Sequence, residues 1–146
     1  MRPRNRTRLR SALAGALAAT IWGLAEPLDQ RLLRYDYSDI ALLGKAVTRG
    51  RHWRLAGFAV HAVNGALFGV LYDELRKRVH VSGQSLAVGM ALAEHVALYP
   101  LGAVVDRRHP ARGEPGLPRL VWSSRAYVQA TWRHLLFGAV LGQLAS

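Results

Sequence analysis

Glu26, His61, Glu94, His95 and His134 stand inside otherwise apolar runs of this chain, and they are its candidates for chemistry. An ionisable group in an apolar helix is costly, so it usually faces a partner or does work. At 1.5 Å of rise per residue, these five fall within roughly one helical turn of a common depth. A b-type haem could be held between His61 and His134. A metal ion could use His61, His95 and His134 with Glu26 or Glu94, because imidazole and carboxylate suit zinc, iron or manganese. The same groups could relay protons or ions. The reading we favour is structural, with the five side chains hydrogen-bonding helix to helix in one polar cluster. Arg133, one residue before His134, points about 100° away and is expected to pair with Glu94 or Glu26 or to reach the nearer interface. No HExxH, paired ExxH, nucleophile elbow or phosphate loop is present. The absence of cysteine excludes disulfides and thiolate chemistry. No enzyme class and no particular cofactor follow.

Four apolar segments must position these residues, at about 11–33, 55–72, 84–105 and 126–145. A membrane-crossing helix needs roughly 20 mainly apolar residues, and each segment approaches that length. Hydrophobic residues make up 51% of the chain, yet its formal charge is +11. The basic residues are concentrated at the N-terminus and between the apolar runs. That alternation fits a membrane protein and not a nucleic-acid binder, which gathers its charge on one face beside a recognisable motif. The expected fold is all-α: a basic arm over residues 1–10, then one four-transmembrane-helix bundle over 11–146. The bilayer is the expected partner. The leading arginines place the N-terminus in the cytoplasm, in the inner (plasma) membrane. Read as a signal peptide, the same stretch would be cleaved near Ala25. The apolar pattern continues through Leu28, Leu32 and Leu33, and we expect no cleavage.

The second half echoes the first at an offset of 73 residues. Pro27 and Leu28 fall on Pro100 and Leu101. His61, Gly65, Ala66, Gly69 and Leu71 fall on His134, Gly138, Ala139, Gly142 and Leu144. Two tandem two-helix repeats are expected, over 11–73 and 84–146, related by a pseudo-two-fold axis along the membrane normal. Pro27 and Pro100 should lie at matching depths and kink their helices. Gly15, Ala19 and Gly23, then Gly65 and Gly69, then Gly138 and Gly142, keep the four-residue spacing that lets helix backbones approach in lipid. The same small-residue faces could serve a homo-oligomer. His61 and His134 share faces with these glycines and so point into the bundle.

Between the apolar segments, Ser38-Asp39 followed by IALLGKAV predicts a short capped helix. HPARGEPGLP predicts an irregular loop. The segments HAVNGALFGVLY (61–72), AEHVALYPLGAVVD (93–106) and RHLLFGAVLG (133–142) give the chain a form that resembles small four-span inner-membrane proteins of bacteria. That resemblance implies the fold and the location. The group carries no established activity, so no catalytic residue is implied.

Overall fold

A computed structural model describes residues 3–145, whose regular structure is all helical, with no β-strand among the described residues. Helix α1 spans Pro3–Leu33 and α2 spans Asp39–Val47. Helix α3 spans Trp53–Arg76 and α4 spans Gly83–Leu98. A 3-10 turn over Tyr99–Leu101 leads into α5, Gly102–Arg108, and α6 spans Ser124–Leu144. The residues of the N-terminal arm from Pro3 onward are therefore part of α1, while Arg2 lies outside the described residues.

Serine side chains set three of the helix starts. Ser38 is extended and accepts a hydrogen bond from the Ala41 amide, the side-chain cap that α2 needs. Ser82 and Ser123 cap α4 and α6 in the same way, through the amides of Ser85 and Ala126. Pro27 sits within α1 without ending it. Pro100 instead lies in the 3-10 turn that separates α4 from α5. The two prolines thus differ in effect, because a proline removes one helical hydrogen bond and the surrounding packing decides whether the helix survives.

The helices pack in the order α3, α1, α6, α4, with α2 laid against α3; α3 and α4 meet only sparingly. Small residues set the spacing. A Cβ on Gly15 would collide with the Gly65 carbonyl, and one on Gly65 with the Gly15 carbonyl. Gly69 abuts Ser11 in the same fashion. On the other side, Gly138 abuts Ala87 and Val88, and Gly142 abuts Gln84. Ala18, Tyr72, Ala87, Ala91 and Leu141 form the fully buried part of the core.

The outer faces are apolar. Leu13, Leu17, Leu24, Leu28 and Leu32 of α1 are exposed, as are Leu67 and Leu71 of α3, Val96 of α4, and Val128 and Leu135 of α6. A water-soluble monomer rarely exposes so continuous an apolar surface. Among the described residues, three helical stretches are long and apolar enough to cross a membrane: Asn5–Leu33, Trp53–Arg76 and Gly83–Arg108. Helix α6 is not among them. Its Arg125, Gln129, Arg133 and His134 lower its hydropathy, although Gln129 and Arg133 are buried inside the bundle.

Candidate functional site

Arg133 organises the interior. It is 1% exposed and reaches from the middle of α6 across to α1 and the start of α2. Its Nε and Nη2 donate to both carboxylate oxygens of Asp29, at 2.7 and 2.6 Å. Nη1 donates to Asp39 at 2.8 Å, and Nη2 also donates to the Tyr37 carbonyl at 2.8 Å. Such a fork holds a planar guanidinium in one orientation. Gln129, one turn earlier, donates to Asp29 and to the Tyr35 carbonyl. The expected partner Glu26 stands at the margin, 3.6 Å from Nη1, and Glu94 takes no part. Asp29 and Asp39 are the partners that sequence reasoning missed. Asp29 lies three residues after Glu26, on the same helical face, which was the available signal.

Glu26 has a different task. It accepts the amides of Asp39 and Ile40, at 2.7 and 3.2 Å, and the Ser38 hydroxyl. These amides open α2 and have no partner inside it, so a buried carboxylate satisfies them and complements the helix dipole. Asp39 also accepts the Trp22 indole N–H and the Tyr37 hydroxyl. Burial pushes the Asp39 carboxyl up. Arg133, then His61 and the Tyr37 hydroxyl, outweigh that and hold it below its ordinary value.

The loop over 109–118 clamps this arrangement from outside. His109 Nδ1 accepts the Ala111 amide, which leaves Nε2 protonated to donate to the Leu42 carbonyl at 2.9 Å. Lys45 donates to Glu114 and to the Pro115 carbonyl, and Arg49 pairs with Glu114. Gly116 donates its amide to the Asp36 carboxylate, accepts from the Ser38 amide and bridges Tyr37 at φ +85°, with Ala41 against it, so only glycine fits there.

The histidines lie beside the charged network and meet one another through aromatic faces. Trp22 packs edge-on against His61 at 4.9 Å and against His134 at 4.6 Å. His134 in turn lies 4.9 Å from His95. His134 Nδ1 donates to the Ala130 carbonyl at 2.7 Å, and its Nε2 stands 3.8 Å from Glu94. Thr131 gives its hydroxyl proton to the Tyr127 carbonyl, so it accepts from His95 Nε2 at 3.0 Å. His61 is 8% exposed, and its buried Nε2 has no hydrogen-bond partner among the described residues.

These positions revise the ligand readings. Among the described residues, no three His, Cys, Asp or Glu side chains converge as a metal site. Glu26 is committed to the start of α2, which removes it from the set of Glu26, His61, Glu94, His95 and His134. For haem, the indole of Trp22 touches both His61 and His134, so it fills the space a porphyrin between them would need. The five residues divide into Glu26 with the charged network and the histidines with Glu94 along a cavity wall.

That cavity, of about 420 Å³, lies where α3 and α4 stay apart. His61, Asn64 and Phe68 line it from α3, Glu94 and His95 from α4, and His134 from α6. Its size falls within the usual range for small-molecule sites. No family model, curated protein or solved structure matches this chain.

Proposed function

We propose that this chain is a four-span integral membrane protein whose buried charges are structural and whose cavity binds a small molecule within the bilayer. The spans are α1, α3, α4 with α5, and α6. Helix α6 qualifies as the fourth because it turns Gln129 and Arg133 inward and leaves Val128 and Leu135 outside. Arg133, Asp29, Asp39 and Glu26 tie α6, α1 and α2 together at one end. The observation that carries a binding role is the cavity itself, which lies between two helices that do not close on each other and has His134 Nε2 and the Glu94 carboxylate 3.8 Å apart on its wall. Metal and haem readings have less support, because the histidines pack ring to ring instead of converging.

Tandem duplication is part of the proposal. Gly65 meets Gly15 and Gly69 meets Ser11; 73 residues later, Gly138 meets Val88 and Gly142 meets Gln84. The Trp22–His61 contact has its counterpart in His95–His134, at the same offset and the same 4.9 Å. Equal contacts at equal offsets support two copies of one helical hairpin. The resemblance to small four-span bacterial inner-membrane proteins, the cytoplasmic N-terminus and a homo-oligomer through small-residue faces belong to the same proposal.

The chain has no cysteine, so single-cysteine labelling tests the cavity directly. In proteoliposomes, Asn64→Cys should react with a membrane-permeant maleimide. Ala18→Cys, at a position fully buried between helices, should not. Equal protection of both positions would defeat the binding reading.

A further inference from the structure

The cavity carries a charge preference opposite to that of the chain. The protein is strongly basic, yet among the described residues Asp39 and Glu94 line the cavity and no Lys or Arg does. Behind Asp39, the single guanidinium of Arg133 faces three carboxylates, those of Asp29, Asp39 and Glu26. The formal charge at that end of the cavity is therefore negative, in surroundings that screen it poorly.

The hydrogen-bonding groups on the wall point the same way. His134 donates from Nδ1 to a carbonyl, so in the neutral ring Nε2 is an acceptor. It faces the Glu94 carboxylate, also an acceptor, across 3.8 Å. Two acceptors at that separation share a donor well and repel without one. The remaining wall is mostly apolar, and Trp22, Tyr37, Phe68, Tyr99 and Phe137 supply aromatic faces among leucines and alanines. Aromatic faces attract cations and bury apolar substituents.

We infer that the cavity takes an organic ammonium ion, its N–H groups on Glu94 and His134 and its apolar portion against the aromatic and aliphatic wall. This deepens the binding role proposed above and rests on it. The aromatic wall and the gap between α3 and α4 suit an amine of modest size carrying an aryl or short alkyl group. A strongly hydrated inorganic cation would leave the aromatic surface unused.

The test compares three probes of one shape in lipid nanodiscs: phenethylammonium, 2-phenylethanol and phenylacetate, with empty nanodiscs as the partition control. Binding is read by isothermal titration. The ammonium should bind saturably at one site, about tenfold or more tighter than the alcohol, and the carboxylate should not bind. Glu94→Gln should remove most of that difference. Glu94 is part-exposed and bonds nothing structural, so the variant should fold. His134→Leu, which removes the other acceptor, should weaken the ammonium independently. Equal binding of ammonium and alcohol would overturn the inference while leaving a cavity that binds. No saturable ammonium binding, or binding unchanged in both variants, would also overturn it. Protection of Asn64→Cys from labelling would instead be the failure of the binding reading itself.

Discussion

Replacing Arg133 by Met should be the most damaging single change in the interior. Met keeps much of the length and apolar volume of Arg but cannot donate a hydrogen bond. The substitution removes the fork to Asp29, the bond to Asp39 and the bond to the Tyr37 carbonyl. Asp29 is 3% exposed and would keep only Gln129 as a partner. Removing one member of a buried ion pair typically costs about 3–5 kcal/mol, because the other charge is left uncompensated. The assay is reversible unfolding in mixed micelles, followed by tryptophan fluorescence. Two controls sharpen it. Trp132→Met changes the neighbouring, outward-facing residue and should cost far less. Asp29→Asn added to Arg133→Met should recover part of the loss, because a neutral amide has less to be compensated. A cost for Arg133→Met below about 1 kcal/mol, the range of an exposed pair, would refute the central role of this residue. So would strict additivity of the double variant.

Other outcomes follow from the same geometry. Gly65→Leu and Gly138→Leu should block helix approach and prevent monodisperse purification, whereas Leu67→Ala, on the outer face, should be tolerated. Leu141 is fully buried, so Leu141→Ala should cost about 2–5 kcal/mol by equilibrium unfolding, which its apolar sequence context alone did not distinguish from Leu67. Lys45, with Arg49, holds the Glu114 carboxyl below its ordinary value of 4.5, so its contribution is fully present above that pH and is lost as pH falls through the lowered value. A carboxyl carbon NMR titration should therefore place the Glu114 midpoint below 4.5, and a midpoint at or above it would count against the clamp. Protein purified in mild detergent should show no Soret band, because Trp22 occupies the space between His61 and His134; a stoichiometric haem spectrum would contradict that packing.

The sequence made the helices legible because each carries its own local signal. The apolar segments, the Ser38 cap and the irregular stretch after His109 appear where composition and spacing put them. Placing His61 and His134 on the small-residue faces also followed from helical periodicity. The partners of Arg133 did not follow. Asp39 reads locally as the first residue of a capped helix, and nothing near it in sequence brings it to a residue 94 positions away. Its placement depends on residues 34–39 turning inward against Trp22, Gly116 and α6, which are long-range contacts. The single polar cluster expected from common depth and from histidines on glycine-lined faces divided for a related reason. Depth fixes height along a helix but not azimuth, and azimuth sends Glu26 to α2 and the histidines to the cavity.

Membrane embedding of the outer apolar faces underlies every functional statement made for this protein. Spin labels at Leu17, Leu67, Val96 and Leu135, one on each proposed span and all exposed, measure it directly in reconstituted bilayers. Power-saturation EPR should find all four accessible to molecular oxygen and shielded from a water-soluble nickel chelate. Free access of the chelate to these sites, at the level of an added aqueous-loop label at Arg112, would contradict the membrane assignment.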